Sequence, residues 1–275
     1  MDSKVLGQQS IARCLQPPCN RGHISQARRQ PILRPQAEPA SSSSSSSGSG
    51  SRSPVLILPG FLSNNTTSPN SQYRELADNL LELGHPAAEI LPASTWDWVP
   101  TLSGGNFAWY IARLAEAVQE LQAKHQQQIS LVGVSAGGWL ARIALGRAPY
   151  AGRVWGLAPA VHTLVTCGTP HHSLEAYPFG RAEVKHTEGR RLDLKEVLRG
   201  RVKLADANYA WFVQSSYQAN CGQVEVDGDG VCPVQTALLP GAESLVLPGV
   251  WHNAEPGKLW YGSQQVVPAW DYFLP

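Results

Sequence analysis

The feature that most constrains the fold is the stretch from Ile129 to Arg147, where an apolar segment runs through Gly133-Val134-Ser135-Ala136-Gly137 into a helix-compatible segment. The five residues match the pattern G-x-S-x-G, which holds a nucleophilic serine on a sharp turn between a strand and a helix. Larger side chains would collide beside such a turn, so glycine is needed on both flanks. A bare match could be an ordinary glycine-rich connection. The flanking strand and helix favour the nucleophile.

Strands and helices alternate along the rest of the chain. Apolar or β-rich runs predict strands at residues 55–58, 89–93, 129–134, 161–167, 224–226 and 244–247. Apolar residues at helical spacing predict helices at residues 73–83 and 107–121, a third after the serine turn, and a C-terminal amphipathic segment at 264–273. This alternation predicts a mostly parallel sheet with helices on both faces, and 275 residues are enough for one such core.

The N-terminal region differs in composition from the rest of the chain. Residues 1–53 carry seven basic and two acidic side chains, a net charge of +5, so the remainder carries −4. The region ends in a serine-rich tract that has no means of burying apolar surface. These properties predict a disordered transit peptide and linker over residues 1–53, followed by one domain over residues 54–275. A disordered tail that stays attached is the alternative.

Charge and hydropathy exclude several classes of binding partner, and the cysteine content excludes a disulfide scaffold. A mildly acidic body offers no basic surface for nucleic acid or for an anionic membrane. No apolar run approaches the roughly 20 residues that span a bilayer, which leaves peripheral membrane contact at most. Three cysteines in the body, Cys167, Cys221 and Cys232, are too few for a disulfide scaffold. Pairing of Cys221 with Cys232 stays open, and so does the oligomeric state.

A serine hydroxyl needs a base to remove its proton. In the fold to which G-x-S-x-G belongs, the chain order is nucleophile, acid, histidine, so the base lies well downstream of Ser135. His252, in P-G-V-W-H-N after the last predicted strand, has that position. The other histidines after Ser135 do not follow an acid in this order: His162, His171, His172 and His186.

The acid is expected in V-E-V-D-G-D-G-V-C-P, which holds Asp227 and Asp229 directly after a β-rich triplet. Asp229 is the preferred candidate because Gly228 and Gly230 permit the abrupt turn that aims a carboxylate at His252. Turn chemistry or a weak cation site are the alternatives for D-G-D-G. No glutamate follows at the offset of a calcium loop, so no metal site is predicted.

Three further groups of residues are expected around the serine. Backbone amides of Phe61 and Ala136 occupy the positions of the two oxyanion donors. Tryptophans in loops near the sheet edge predict an apolar acyl pocket, with plain packing as the alternative: Trp96, Trp98 and Trp251. An insertion at about 171–218 is interpreted as a cap over the site, or as a surface subdomain.

Several segments together resemble the lipase-like α/β-hydrolases of plant and algal plastids: L-P-G-F, G-V-S-A-G-G-W-L-A-R, T-C-G-T-P-H, C-G-Q-V-E-V-D-G-D-G-V-C-P and G-V-W-H. The resemblance covers nearly all of residues 54–275. It implies an α/β-hydrolase fold, Ser135 as nucleophile, Asp229 as acid, His252 as base, and targeting to the chloroplast. Two departures are Cys232, where such sequences often carry valine, and L-P-G-F, where many lipases carry a His-Gly element.

These features together predict a carboxylic ester hydrolase that uses a Ser-His-Asp triad, needs no metal or organic cofactor, and acts on a small-molecule or lipid ester, with a hydrophobic ester favoured. Two other functions stay open. An acyltransferase or thioesterase would use the same residues. A catalytically idle scaffold would bind a hydrophobic ligand or a protein instead.

Overall fold

The computed structural model describes residues 8–10, 52–173 and 206–275. Its centre is a six-stranded sheet in which every paired strand is parallel to its neighbour. The strands are β1 (Gln8–Ser10), β2 (Val55–Leu58), β3 (Ala88–Ile90), β4 (Ile129–Val134), β5 (Val161–Cys167) and β6 (Glu243–Ser244), in the spatial order β3-β2-β4-β5-β1-β6. A separate parallel pair joins β7 (Val250–Trp251) to β8 (Leu259–Trp260).

Helices connect and cover the strands. They are α1 (Gln72–Glu82), α2 (Val99–Leu102), α3 (Ala108–His125), α4 (Ala136–Leu145), α5 (Asp206–Cys221) and α6 (Val234–Ala237). Local sequence explains their ends. The Ser71 side chain caps the start of α1 by accepting the Tyr73 N–H at 3.3 Å. Shortly after the end of α1, Gly84 has φ +95°, a backbone conformation that favours glycine. Gln126 ends α3 in the left-handed conformation.

Both faces of the sheet are buried, as a parallel sheet requires. Val55 and Ile57 of β2 point to one face, where α1 and the C-terminal segment pack. Leu56 and Leu58 point to the other face, where α3 and α4 pack. The period of two along a strand thus separates two apolar clusters. The core strands are thereby held firmly, and the residues that follow them at the carboxyl edge have a rigid base.

Most of the predicted elements are confirmed. Strands at 129–134 and 161–167 have the predicted bounds, and the helices predicted at 73–83 and 107–121 match α1 and α3. The strand predicted at 224–226 is wrong, because these residues form bends, with Val224 and Glu225 exposed, and β1 occupies the position beside β5. The last strand is shorter than predicted and is β6. The C-terminal segment forms two short 3-10 turns, Val267–Ala269 and Asp271–Phe273.

The second described range begins at Arg52, two residues before the predicted domain start. Arg52 forms an ion pair of 2.7 Å with Asp271, and the Ser53 N–H donates to the Pro275 carbonyl at 2.8 Å. Residues 8–10 form β1, and the other residues up to 51 lie outside the described residues, as do residues 174–205 of the predicted cap. The transit peptide, the linker and the cap stay predictions. Among the helices that the structure describes, none has the length and apolar character needed to cross a bilayer.

Candidate active site

Ser135 lies on the turn between β4 and α4, in a backbone conformation that L-residues rarely adopt, with φ 54° and ψ −126°. Such strain costs about 1–3 kcal/mol and persists only where neighbouring groups fix it. Here the Ser135 N–H donates to the Cys167 carbonyl at 2.9 Å, and Thr169 Oγ1 donates to the Ser135 carbonyl at 2.8 Å. The end of β5 therefore holds the strained turn in place.

Three glycines make this turn sterically possible. A Cβ on Gly137 would collide with the Leu58 carbonyl, and one on Gly133 would collide with the backbone of Gly138. Gly138 itself faces the Thr169 hydroxyl closely enough to exclude any side chain. The two glycines of G-x-S-x-G thus have the steric role that the sequence predicts, and Gly138 shares it.

His252 and Asp229 form a buried pair, as the sequence predicts for base and acid. The His252 Nδ1 lies 2.7 Å from Asp229 Oδ2, and the His252 N–H donates to the Asp229 carbonyl at 2.9 Å. Both residues are only 6% exposed. An ionised carboxylate only accepts hydrogen bonds, so Nδ1 carries the proton and Nε2 is the acceptor. A base needs this tautomer.

The Asp229 carboxylate accepts four hydrogen bonds. Oδ1 accepts from the N–H groups of Val231 and Cys232 at 2.9 and 2.7 Å. Oδ2 accepts from His252 and from the Tyr261 hydroxyl, the latter at 2.8 Å. Burial acts to raise the pKa of this carboxyl, but His252 and the two amides outweigh burial and hold the pKa below its usual value. Asp229 is therefore ionised at neutral pH.

Asp229 lies on the loop between α5 and α6, and two residues of α5 hold this loop. The Gly230 N–H donates to the Tyr217 hydroxyl at 2.9 Å, and Ser216 Oγ donates to the Val231 carbonyl at 2.6 Å. Asp227, the other candidate, is exposed, and its carbonyl accepts the Val234 N–H at 2.9 Å. The structure therefore pairs His252 with Asp229 and leaves Asp227 in a structural turn. With its four acceptor sites occupied, Asp229 has no capacity left for the cation that D-G-D-G could otherwise bind.

Ser135 and the His252–Asp229 pair both lie against the end of β5. The Ser135 N–H binds the Cys167 carbonyl, and the next residue, Gly168, faces the pair. A Cβ on Gly168 would lie 2.9 Å from His252 Nδ1 and would collide with Asp229 Oδ2. Across the described ranges, no hydrogen bond joins the Ser135 hydroxyl to the His252 ring. Such bonds are often long in substrate-free enzymes.

The predicted oxyanion donors are on the two segments that flank Ser135. Ala136 is the first residue of α4, where N–H groups have no acceptor within the helix. Phe61 follows Gly60, and a Cβ on Gly60 would lie 2.9 Å from Ser135 Cβ. The Gly60 N–H donates to the Tyr73 hydroxyl at 3.0 Å, which anchors this loop to α1. Burial raises the pKa of Tyr73, so its hydroxyl stays protonated.

The three predicted pocket tryptophans have different environments. Trp98 is fully buried, lies 5.0 Å from the Phe61 ring, and donates from Nε1 to the Ser63 carbonyl at 3.2 Å. Trp96 is 81% exposed. Trp251 is half-buried under the Lys258 ammonium, which is 3.7 Å from the ring centroid. Contact with substrate stays a prediction for all three.

Other nucleophilic and basic groups near the site have structural partners. The His171 ring lies 3.0 Å from Arg142 Nη1 and 3.1 Å from Thr166 Oγ1. Burial, helped by Arg142 and His172, lowers the pKa of His171 to about 3. This residue is a far weaker base than an ordinary histidine. Cys221 and Cys232 are free thiols, so the pairing left open by the sequence is not formed. In the ranges that the structure covers, no cluster of three His, Cys, Asp or Glu side chains is placed for a metal ion.

Sequence reasoning missed the residues that support the pair. Tyr261 follows His252 by nine positions and no pattern distinguishes it from a core tyrosine. Tyr217 lies in the predicted cap, and its contact with Gly230 gives it a role in holding the acid loop. Gly168, within T-C-G-T-P-H, was open to detection, because a glycine directly after a buried strand often marks a close approach of another group.

The parallel sheet, the serine turn between β4 and α4 and the buried histidine–carboxylate pair define an α/β-hydrolase fold. Residues 60–178 match the family model described as Lecithin:cholesterol acyltransferase. The match includes Ser135 and ends before Asp229 and His252. Fold and match together support a serine ester hydrolase or acyltransferase. No curated protein matches the chain by sequence.

Solved structures of lipases and esterases are distantly similar. The lipase BlEst2 of Bacillus licheniformis in its mature form is 17% identical, with 82% of this chain and 94% of that chain covered and a TM-score of 0.46. Lipase B of Aspergillus fumigatus is 14% identical, with 50% and 28% covered and a TM-score of 0.31. An acetylxylan esterase is 19% identical, with 46% and 68% covered and a TM-score of 0.32. At these values the similarity assigns no activity to the chain.

Proposed function

We propose that the protein hydrolyses a carboxylic ester by a Ser-His-Asp mechanism. The observation that carries the proposal is the buried His252–Asp229 pair. This pair packs against Gly168, the residue after Cys167, and the Cys167 carbonyl accepts the Ser135 N–H. A strained serine, a histidine in the correct tautomer and an ionised acid are the three parts that this chemistry needs.

In the proposed reaction, Ser135 Oγ attacks the ester carbonyl carbon while His252 Nε2 takes the hydroxyl proton. The tetrahedral intermediate then breaks its bond to the leaving alkoxide, which receives that proton from Nε2. Water, deprotonated by Nε2 in turn, attacks the acyl-serine. The second tetrahedral intermediate breaks its bond to Ser135 Oγ, which takes the proton back from Nε2, and the acid is released. Asp229 keeps its charge throughout and stabilises the imidazolium that forms twice in each cycle.

The oxyanion is assigned to the backbone amides of Phe61 and Ala136. Both belong to segments that pack directly beside Ser135, and the position of Ala136 at the start of α4 adds the positive end of a helix dipole. Loss of one such donor from an enzyme of this kind costs about 10²-fold to 10³-fold in turnover.

The favoured substrate is an ester with a hydrophobic acyl group. Support comes from the aromatic residues beside the nucleophile: Phe61 packs on Trp98, and Phe107 packs on Trp139 of α4 with ring centroids 5.0 Å apart. Transfer of the acyl group to an alcohol in place of water is the second candidate, and the description of the matching family favours it. The two reactions share every residue and differ in the acceptor.

Replacement of the nucleophile tests the mechanism. Ser135→Ala is expected to lower ester turnover by about 10⁴-fold to 10⁶-fold and to abolish labelling by a fluorophosphonate probe. Ser103→Ala, an exposed serine, is the matched control and should keep both. Wild-type turnover in Ser135→Ala would refute the mechanism. A chain that is folded but never labelled would instead support an idle scaffold, and products formed with added alcohols separate hydrolysis from acyl transfer.

We also propose that residues 1–53 direct the protein to the chloroplast. The basic, serine-rich composition and the near absence of acids support this proposal. A fluorescent protein fused after residue 53 should accumulate in plastids of a plant cell. Retention of the fusion in the cytosol would contradict the proposal.

A further inference from the structure

A groove of about 810 Å³ runs along the first half of α1. Its lining includes Phe61, which carries a proposed oxyanion donor. It also includes Asn253 and Ala254, which directly follow the proposed base, so residues next to both functional groups line the groove. A histidine that protonates the leaving alkoxide must lie on the alcohol side of the ester. The groove therefore extends toward the alcohol part of a bound substrate.

Gln72 fixes the two walls of this groove relative to one another. Its Oε1 accepts the Ala254 N–H at 2.8 Å, and its Nε2 lies 3.5 Å from Asn253 Oδ1. The start of α1 is thus tied to the loop that carries His252. A group bound between these walls would be positioned relative to the base by the protein itself, as productive binding requires.

The lining of the groove is polar. Amide and hydroxyl side chains dominate it, including Asn64, Asn70, Ser71 and Asn253, whereas acyl pockets are lined mainly by apolar side chains. An alkyl chain would strip water from these groups and return no hydrogen bonds. A ligand with several hydroxyl groups replaces those hydrogen bonds one by one.

The net charge of the groove favours uncharged polar ligands over anionic ones. Its charged side chains are Arg74, Glu75 and Asp78, which sum to −1. The Glu75 Oε2 accepts the Trp260 Nε1–H at 2.8 Å, which fixes one of the two acids in the wall. Phosphate sites in proteins concentrate positive charge, often as arginine pairs, and this groove does the reverse. An anionic alcohol is therefore disfavoured.

We propose that this groove binds the alcohol part of the ester and that this alcohol is an uncharged polyhydroxylated group, such as a sugar. The inference rests on the proposed function and adds the chemical class of the leaving group. It assigns the acyl chain to the other side of Ser135.

Three soluble esters of octanoic acid test the proposal with the full chain: those of glucose, of glycerol phosphate and of ethanol. All present the same acyl chain, so ratios of kcat/KM report on the alcohol alone. The glucose ester is expected to exceed each of the other two by about tenfold or more, because a site built for hydroxyl groups discriminates against ligands that lack them. Equal or faster turnover of the phosphate or ethyl ester would overturn the proposal.

A charge reversal supplies the second test. Asp78→Arg changes the groove from −1 to +1 and should raise the ratio of phosphate ester to ethyl ester about threefold to tenfold at low ionic strength, an effect that fades with added salt. Glu116→Arg on α3 makes the same change of net charge outside the groove and should leave every ratio unchanged. Equal effects of the two variants would overturn the proposal.

Separate controls distinguish a loss of folding from a loss of catalysis. If Asp78→Arg lowers the melting temperature, Asn70→Lys changes the groove from −1 to 0 and tests the same direction of charge from another part of the lining, with Glu116→Gln as its matched control. If the ethyl ester is cleaved in a Ser135-dependent manner without any preference for glucose, only the inference about the groove fails. If no ester is cleaved and Ser135 is not labelled, the proposed function fails and the inference falls with it.

Discussion

Replacement of Tyr261 by phenylalanine is the sharpest test of how the acid controls the base. The Tyr261 hydroxyl and His252 Nδ1 donate to the same oxygen, Asp229 Oδ2, at 2.8 and 2.7 Å. Burial, followed by the charge of Asp229, raises the pKa of Tyr261 well above its usual value, so the hydroxyl donates across the whole assay range. Removing this donor leaves more negative charge on Oδ2, which stabilises the imidazolium form of His252.

The size of the effect follows from the strength of the lost bond. A hydrogen bond to a charged group contributes about 1.5–3 kcal/mol. The bond exists in both protonation states of His252, and it is weaker when the imidazolium already neutralises part of the carboxylate. If the two states differ by about one third of the bond, the difference is about 0.5–1 kcal/mol, or about 0.4–0.7 pH units. The sign is fixed, because loss of the donor favours the charged ring.

The assay is the pH dependence of kcat/KM for a soluble ester. In Tyr261→Phe, the acid limb of the profile should move to higher pH by about 0.4–0.7 units, with KM at the plateau little changed. Tyr272→Phe, at a tyrosine that is 65% exposed, is the matched control and should reproduce the wild-type profile. An unmoved limb, or one that moves to lower pH while the variant keeps its melting temperature, would refute the reasoning.

Two other predictions concern the backbone near the site and acid stability. Gly168→Ala should lower kcat in an ester assay about 10²-fold or more, because the new Cβ would displace the His252–Asp229 pair. Gly152 also has a left-handed backbone but open space around it, so Gly152→Ala is the control and should keep wild-type turnover. The hydrogen bond from Arg113 lowers the pKa of Asp97 to about 2; burial opposes this shift and hydrogen bonds from Ser94 add to it. The Asp97–Arg113 ion pair therefore stabilises the fold above about pH 4, and this stabilisation is lost as the pH falls toward 2. Asp97→Asn should therefore reduce the free energy of unfolding by about 1 kcal/mol at neutral pH, a value discounted for partial exposure, and by much less near pH 2, as urea titrations at both values would show.

The sequence predicted the parts of the fold that repeat a local pattern. Strands β4 and β5 consist mostly of apolar or β-branched residues, because every position of β4 and all but one of β5 are buried. The serine turn was equally predictable, because a side chain at Gly133 would collide with Gly138 and one at Gly137 with Leu58. The choice of Asp229 over Asp227 rested on two flanking glycines, and the contact of Asp229 with His252 agrees with that choice.

Contacts between distant segments could not be predicted in the same way. Val224–Val226 has the composition of a strand, but a strand also needs a free neighbour, and the position beside β5 is occupied by β1. Tyr261 reaches Asp229 across 32 positions of the chain, and its sequence neighbours are those of any buried aromatic residue. The tryptophans show the opposite case. Their number suggested a pocket without separating their environments: Trp98 is core and Trp96 is exposed, and contact with substrate stays a prediction.

The base and the acid lie on loops, which raises the question of what keeps them at a fixed distance. Two bonds join the same two residues: the side-chain bond from Nδ1 to Oδ2, and the main-chain bond from the His252 N–H to the Asp229 carbonyl. A displacement of either residue therefore moves the other, and the pair shifts as a unit. The Tyr217 hydroxyl on α5 holds the acid loop through Gly230, whereas Ser135 is held by β5. The docking of α5 therefore sets how far the base lies from the nucleophile, and changes at Tyr217 should alter kcat without any contact with substrate.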